Sequence, residues 1–245
     1  MDQLTINAAG GMRSIAESLD ILANNLANTG TIGYKADGEF YDLYWSQQAS
    51  ADPISQLPVI ERNWIDLKQG ILKDTGQPLD VGLTGNGFFM ADGPSGPLLT
   101  RNGSFRLSRQ GRLETQEGFP VRIVDPAGSQ RPLQIGVNAL VEIERDGTIR
   151  VDGQPRGRLD VVDCEAPYAV SKQGANYFRL SDTAKLKRGS AEVRQGALEA
   201  SNVGPAESAV RLVSVLRHFE MLQKALVLGG EMNRRAVEEV ARVSG

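Results

Sequence analysis

The chain has 245 residues, 40% hydrophobic and 23% charged, an ordinary composition for a folded protein of one or two domains. Its 27 basic and 30 acidic side chains give a net charge of −3 without a basic run, which argues against electrostatic binding of nucleic acid. One cysteine, Cys164, and one histidine, His218, argue against an internal disulfide, His-based catalytic triads, Cys-His pairs and the common zinc sites.

The N-terminal segment is predicted to form a long amphipathic helix. Its apolar residues recur at spacings of three and four, a heptad pattern, formed by Ala8, Met12, Ile15, Leu19, Leu22 and Leu26. Over residues 4–28 this helix would be about 37 Å long. Asn24, Asn25 and Asn28 near its end either bond across an interface to another subunit or cap the helix and face solvent. No apolar run long enough for a transmembrane helix and no cleavable signal peptide are found.

Residues 36–75 are predicted to be an extended connector. They are too rich in aromatic residues for a free linker, so we expect these side chains to dock onto another part of the protein: Phe40, Tyr41, Tyr44, Trp45 and Trp64.

The middle of the chain is predicted to be all-β, because turn signals recur every eight to twelve residues between 76 and 200. Asn102-Gly103 predicts one hairpin and Asp146-Gly147 a second. Further strands are expected at 87–91, 111–115, 120–124, 158–163 and 176–181. No amphipathic helix interrupts them, so a parallel α/β sheet is disfavoured.

The C-terminal segment is predicted to be a second long helix that begins at Pro205. Its apolar stripe consists of Leu212, Leu216, Phe219, Leu222 and Leu226. Gly229-Gly230 either breaks the helix or permits the close approach of a neighbouring backbone. Both terminal stripes are narrow, so we expect the helices to pack on each other and on neighbouring copies. Head-to-tail contacts that do not close a ring would then build a helical filament.

Candidate chemical sites have simpler structural interpretations. Gly85-Asn86-Gly87 precedes a strand and not a helix, so a tight turn is favoured over a phosphate-binding loop. Asp146-Gly147 and Asp152-Gly153 fit hairpin ends better than a calcium loop. Scattered carboxylates adjoin turn residues, where Asp and Glu are common, and the sequence alone does not place any two of them together as a catalytic pair. We therefore predict a non-enzymatic protein without cofactor, metal or small-molecule substrate.

These elements predict an α+β fold with a discontinuous architecture. Residues 1–35 and 204–245 would form a coiled-coil domain of terminal helices, 36–75 the connector, and 76–203 an outer β domain. The predicted assembly interface comprises Ile15, Leu19, Leu22, Asn24, Asn25, Leu26, Asn28, Leu212, Leu216, Phe219 and Leu226.

Four sequence blocks, in order along nearly the whole chain, resemble those of one family. They are residues 24–35 (NNLANTGTIGYK), 70–81 (GILKDTGQPLDV), 85–89 with 100–105 (GNGFF and TRNGSF), and 195–203 (QGALEASNV). The blocks are similar to the signatures of bacterial flagellar rod and hook proteins. After the last block, the chain departs from the family pattern at 204–209 and at 217–224. These departures weaken the assignment to one family member more than the assignment to the family.

The resemblance implies a structural subunit of the basal-body rod that assembles with itself and with other rod proteins. It implies export through the flagellar type III apparatus without a cleaved signal, terminal helices in an inner coiled-coil tube, and an outer β layer. Within the family the modest middle region is most like that of the proximal-rod proteins. The distal-rod proteins are a close second, and the longer hook proteins fit less well.

Two alternatives from other classes remain. One is a carbohydrate-binding β domain with helical dimerisation arms, in which Tyr44, Trp45 and Trp64 serve as sugar platforms. The other is a soluble coiled-coil dimer that does not polymerise.

Overall fold

The computed structural model describes residues 3–45, 56–125, 128–129, 133–136, 139–164, 170–181 and 185–243. The chain divides into two compact units. The helical unit contains Met1–Leu26, Asp37–Trp64 and Pro205–Gly245, and the β unit contains Ala27–Ala36 and Ile65–Gly204. The element order confirms the predicted α+β class, with a helix near each end of the chain and a β-rich middle.

The described part of the helical unit is built from two helices and one pair of strands. Helix α1 spans Gln3–Ala27 and helix α2 spans Pro205–Val243, while β1 (Asp37–Trp45) pairs with β2 (Gln56–Ile65). The predicted connector therefore contains regular strands, which its aromatic and β-branched residues favour. Trp64 lies against β1, because a Cβ atom on Gly38 would lie 2.3 Å from its ring. The side chains of Phe40, Tyr41, Tyr44 and Trp45 lie outside the described set.

Helix α2 begins at Pro205, as predicted, and its 39 residues make it about 58 Å long. Glu207 in the first turn and Arg242 in the last both suit the helix dipole. The helix continues through Gly229 and Gly230, so the predicted alternative of a break there is wrong. Neither α1 nor α2 carries, over its described length, the sustained apolar run that a membrane crossing requires.

Sheets of six and four strands form most of the β unit. The six-stranded sheet has the order β14-β15-β6-β5-β13-β16, with strands Val170–Lys172, Tyr177–Leu180, Gly96–Thr100, Phe88–Gly93, Val161–Cys164 and Leu186–Arg188. The four-stranded sheet has the order β10-β11-β12-β9, with strands Val141–Ile143, Thr148–Val151, Gln154–Leu159 and Ile123–Val124. The register is antiparallel at each of these pairings.

Three antiparallel strand pairs complete the β unit. They are β17 with β4 (Glu192–Gln195 and Val81–Thr84), β18 with β3 (Ala197–Glu199 and Leu72–Asp74), and β7 with β8 (Phe105–Leu107 and Leu113–Thr115). The pairs β17-β4 and β18-β3 join the C-terminal end of this unit to its beginning.

One predicted hairpin is confirmed and the other is wrong. Val141 pairs with Val151 around Asp146-Gly147, as predicted. At Asn102-Gly103 the flanking strands do not pair with each other, because β6 pairs with β5 and β15 while β7 pairs with β8. Asn102 instead stabilises a local turn, its side-chain oxygen accepting a hydrogen bond from the Ser104 amide. Tertiary pairing thus overrides a local hairpin signal.

The β unit has two clusters of buried apolar side chains. The larger includes Phe89, Ile149 and Leu159, and the smaller includes Phe88, Leu99 and Phe178. Cys164 is buried in the smaller cluster, where it packs as a small apolar residue. Adjacent residues Phe88 and Phe89 face different clusters because side chains alternate along a strand.

Tyr177 makes the stability of the β unit sensitive to alkaline pH. Its buried hydroxyl donates a hydrogen bond to the Glu117 carboxylate, and burial together with this bond raises the pKa of Tyr177 well above its usual value. The unfolded chain therefore loses this proton at lower pH than the folded chain. The stability that Tyr177 contributes is complete below its unfolded pKa of about 10 and declines as the pH rises above it.

We expect the free energy of unfolding to fall by up to about 1.4 kcal/mol per pH unit above pH 10 because of this residue. Urea unfolding of the wild-type chain and of Tyr177→Phe between about pH 9 and pH 11 tests this. The substitution should reduce the slope, and parallel slopes in the two proteins would contradict the assignment.

Candidate functional site

A buried ion cluster brings together residues from separate sequence blocks. Lys35 Nζ lies 2.6 Å from Glu199 Oε1, and Arg101 NH1 lies 3.1 Å from Glu199 Oε2. The three side chains are at most 3% exposed. Lys35 comes from the first block, Arg101 from the third and Glu199 from the fourth. Three of the four blocks therefore meet at one carboxylate inside the β unit.

Backbone groups provide further hydrogen bonds to these charges. Lys35 Nζ also donates to the Lys68 carbonyl at 2.6 Å, and Arg101 NH2 donates to the Gly85 carbonyl at 2.8 Å. Glu199 Oε1 accepts a further hydrogen bond from the Gly70 amide at 2.8 Å, which adds the second block to the cluster. Burial lowers the pKa of Lys35, and the Glu199 carboxylate opposes that shift. The cluster thus depends on Glu199 to offset two buried cations.

Asn202 links the segments through which the chain enters and leaves the β unit. Its side-chain oxygen accepts a hydrogen bond from the Ala36 amide at 2.8 Å, and its amide group donates to the Asp66 carbonyl at 2.7 Å and the Lys68 carbonyl at 3.2 Å. The Asp66 amide in turn donates to the Ala36 carbonyl at 2.8 Å. The Asn202 side chain therefore joins its own segment to two others that are distant in sequence.

Gln195 likewise connects segments of the β unit that are distant in sequence. Its amide group donates to the carbonyls of Pro78 and Val141, and its side-chain oxygen accepts from the Ile143 amide. Polar residues of the family-like blocks thus satisfy buried and half-buried backbone groups within the chain. Their hydrogen bonds stabilise the β unit.

Gly70 has no room for a side chain. A Cβ atom there would lie 2.0 Å from the Ala200 carbonyl oxygen, while a Cβ atom on Gly30 would have no atom within 4 Å. We expect Gly70→Ala to lower the free energy of unfolding by about 1–3 kcal/mol, because backbone must move to admit the methyl group. Thermal unfolding measures the loss, with Gly30→Ala as the control. Equal stability of the two variants would contradict this packing.

On helix α1 the predicted interface residues are covered to different degrees. Leu22 is buried, whereas Ile15, Leu19 and Leu26 are half-buried. The completely covered stripe lies one residue earlier, at Ser14, Ser18, Ile21 and Asn25. The heptad pattern therefore did not indicate which face of α1 is buried within its own chain.

The three asparagines also differ in their environments. Both polar atoms of the Asn25 amide bond to the Asp37 backbone within the chain, and the predicted bond from Asn25 to another subunit stays a prediction. The Asn28 side-chain oxygen accepts a hydrogen bond from the Thr31 hydroxyl at 3.0 Å, and its predicted role in assembly stays a prediction. Asn24 is exposed, and its predicted role in assembly stays a prediction.

Helix α2 has two apolar faces. Leu212, Phe219 and Leu226 of the predicted seam are half-buried, and Leu216 is 43% exposed. A second stripe on roughly the opposite side of the helix was not predicted; it consists of Val210, Met221, Leu228 and Met232, which are 56–72% exposed. We call these four residues the outer stripe. Its members are separated by 11, 7 and 4 residues, a spacing that an analysis of the whole helix surface would have found.

An open groove adjoins the N-terminal part of the outer stripe. It is lined by Ala209, Val210, Val213, Ser214, Arg217, His218 and Met221. His218 is exposed here. Among the described residues, no group of three or more His, Cys, Asp or Glu side chains is placed to hold a metal ion.

Comparison with known proteins gives two family matches and many full-length relatives. Residues 82–151 match the flagellar hook protein FlgE/F/G D1 domain, and residues 194–239 match the flagellar basal body rod FlgEFG protein C-terminal family. The flagellar basal-body rod protein FlgF of Salmonella typhimurium is 30% identical over 261 residues, covering 96% of this chain and 97% of the relative.

Two further relatives agree with these matches. FlgF of Caulobacter vibrioides is 29% identical over 255 residues and covers 100% of both chains. The flagellar basal-body rod protein FlgG of Buchnera aphidicola from Acyrthosiphon pisum is 29% identical over 245 residues, covering 88% of this chain and 91% of the relative.

Proposed function

The chain belongs to the family of flagellar basal-body rod proteins, and we propose from this that it is a structural subunit of the rod which polymerises through its terminal helices. The resemblance predicted from the four sequence blocks is confirmed. Among the relatives the chain is most like those named FlgF, the proximal-rod type, with FlgG-type proteins also similar.

One structural observation carries the assembly mechanism. The outer stripe of α2 leaves four large apolar side chains in solvent along about 33 Å of helix. An extended apolar surface of this kind is typical of a protein interaction site. On α1, the half-buried Ile15, Leu19 and Leu26 leave further apolar area uncovered. Coiled-coil packing between subunits would cover both surfaces.

Energetics favour this use of the helices. Full burial of one Leu, Met or Phe side chain contributes roughly 1.5–3 kcal/mol. A few such residues per subunit offset the loss of freedom on association. In this proposal the interface includes Ile15, Leu19, Leu22, Leu26, Leu212, Leu216, Phe219 and Leu226, together with the outer stripe.

The proposal extends to partners and location. The partners are further copies of this chain and other rod proteins that lie next to it along the axis. The subunit would reach the basal body through the flagellar type III export apparatus, and the assembled helix would transmit torque from motor to hook. A β unit stabilised by hydrogen bonds and ion pairs, and not by disulfides, is compatible with passage in an unfolded state.

The experiment is a complementation test with isolation of basal bodies. A strain that lacks the gene receives the full chain with a small epitope tag, and purified basal bodies are probed for the tag. We expect the chain in the rod fraction and restored swimming. The chain's absence from purified rods, in cells that export it normally, would overturn the proposal.

The alternatives give different results. A distal-rod or hook-type member would restore swimming in a strain that lacks a distal-rod or hook gene, and not in a strain that lacks a proximal-rod gene. A carbohydrate-binding protein would show a glycan-dependent change in tryptophan fluorescence; among the side chains that the structure describes, Trp64 supports this alternative because it is 43% exposed. A soluble dimer would stay the same size in light scattering as its concentration increases.

A further inference from the structure

Helix α1 buries a polar face inside its own chain. Ser14, Ser18, Ile21 and Asn25 are at most 9% exposed and recur at spacings of 4, 3 and 4. We call these residues the polar stripe. Helix faces buried in a protein are usually apolar, so the hydrogen bonds of this stripe require an explanation.

Two residues of the polar stripe, Ser18 and Asn25, bond to strand β1 through directional hydrogen bonds. Ser18 Oγ donates to Glu39 Oε1 at 2.8 Å. Asn25 accepts from the Asp37 amide at 2.9 Å and donates to the Asp37 carbonyl at 2.8 Å, as a neighbouring strand would. The Glu39 side chain is only 2% exposed, and its other oxygen lies 3.6 Å from NH2 of Arg211 on α2.

The apolar residues of α1 lie on a different side. Ile15, Leu19, Leu22 and Leu26 each follow a member of the polar stripe by one position, and consecutive helix residues are about 100° apart around the axis. Docking of the polar stripe on β1 therefore turns the centre of this apolar seam about 100° away from the strand. Leu22 alone of these four is completely covered, and the other three are half-buried.

Apolar contact alone would not select this rotation. Hydrophobic burial is non-directional and would favour turning the leucines onto the strand pair. That rotation would remove the partners of Asn25 and Ser18 and leave buried polar groups unpaired, which is costly. Polar residues in helix interfaces are known to specify register and orientation at some expense of stability.

We propose that Ser18, Asn25 and Glu39 are positioning residues that set the rotation of α1 about its axis, so that the seam of Ile15, Leu19 and Leu26 faces neighbouring subunits. This inference rests on the proposed function for its consequence in assembly. The rotation itself is a property of the single chain and is measurable there.

Cysteine labelling measures the rotation directly. In full-length chain carrying Cys164→Ala, one thiol is introduced by Leu19→Cys or by Ser14→Cys. The Ser14 hydroxyl has no hydrogen-bond partner among the described residues, so a thiol there removes no bond. We expect maleimide to label Leu19→Cys about tenfold faster than Ser14→Cys, because reaction follows exposure of the thiol.

The same two labels are then compared after Asn25→Leu combined with Glu39→Leu. A rotated helix will slow labelling at position 19 and accelerate it at position 14. Unfolding of the helix would accelerate both, and an unaffected orientation would change neither; either result overturns the proposal. The conservative variant keeps Asn25 and carries Glu39→Gln alone. The introduced amide retains an oxygen acceptor for Ser18, so the wild-type order of rates should return.

Rod incorporation of the same variants, without the added cysteines, tests the consequence. We expect the Asn25→Leu, Glu39→Leu chain to be lost from purified rods and Glu39→Gln to be retained. Normal incorporation of a chain whose labels show rotation would overturn the link between orientation and assembly. If the wild-type chain itself does not enter rods, the proposed function fails, while the labelling rates still decide whether these residues position the helix.

Discussion

Replacement of Glu199 by glutamine is expected to lower the free energy of unfolding of the β unit by about 3–5 kcal/mol. Glu199 is the carboxylate that both Lys35 and Arg101 contact, and all three side chains are almost completely buried. Glutamine has nearly the same shape and retains an oxygen acceptor for the Gly70 amide. The loss therefore reports the missing negative charge more than a change in packing.

The magnitude follows from the asymmetry of buried ion pairs. An intact pair contributes little net stability, because the attraction between the charges is offset by their desolvation. Removal of one partner leaves the other buried without compensation. Here a single substitution leaves two cations in that state, and the Nε atom of Arg101 already has no hydrogen-bond partner in the part of the chain that the structure describes.

Urea unfolding followed by amide exchange in β18 and β4 measures this effect within the β unit itself. The matched control is Glu192→Gln, which removes the same charge from an exposed position on β17. Addition of Lys35→Met to Glu199→Gln removes one of the two uncompensated cations. The free energy of unfolding that the double variant loses should be smaller than the sum of the losses of the two single variants by about 0.5–3 kcal/mol. Equal losses from Glu199→Gln and Glu192→Gln would contradict the role of the cluster.

Substitution of Leu228 by glutamate is expected to reduce incorporation into rods by about ten- to a hundredfold. Leu228 is 60% exposed in the C-terminal half of the outer stripe, so the lone chain loses little when it is changed. In an assembled rod, the variant would forfeit the burial of a leucine, worth roughly 1.5–3 kcal/mol. It would also place a charge in an apolar contact, which adds to the loss.

The amount of tagged chain in purified basal bodies measures incorporation, and thermal unfolding of the soluble chain measures stability. We expect the stability of Leu228→Glu to stay within about 0.5 kcal/mol of wild type. Lys224→Gln is the control, because it changes the net charge by the same amount at an exposed position of α2, outside the seam and the outer stripe, without removing an apolar side chain. Incorporation of Leu228→Glu at the level of Lys224→Gln would show that the outer stripe is not an assembly surface.

Local signals in the amino-acid sequence were enough to predict the element types. Apolar residues at spacings of three and four predicted both terminal helices, and Pro205 marked the first residue of α2. Asp146-Gly147 predicted a hairpin that forms as expected. Such signals are reliable because the residues that make the interaction are neighbours in the chain. The four blocks likewise sufficed to predict the family.

Contacts between distant residues were decided only by the tertiary structure. Lys35 and Glu199 are 164 positions apart, and no periodicity or spacing connects them. Asn102-Gly103 is a strong hairpin signal, yet β6 pairs with β5 and β15 and not with β7. The face of α1 that is buried is the clearest case. The hydrophobic pattern identifies an apolar seam. Hydrogen bonds between β1 and the side chains of Ser18 and Asn25 determine which side of the helix the protein covers. Leaving a buried amide unpaired costs more free energy than leaving a leucine half-exposed.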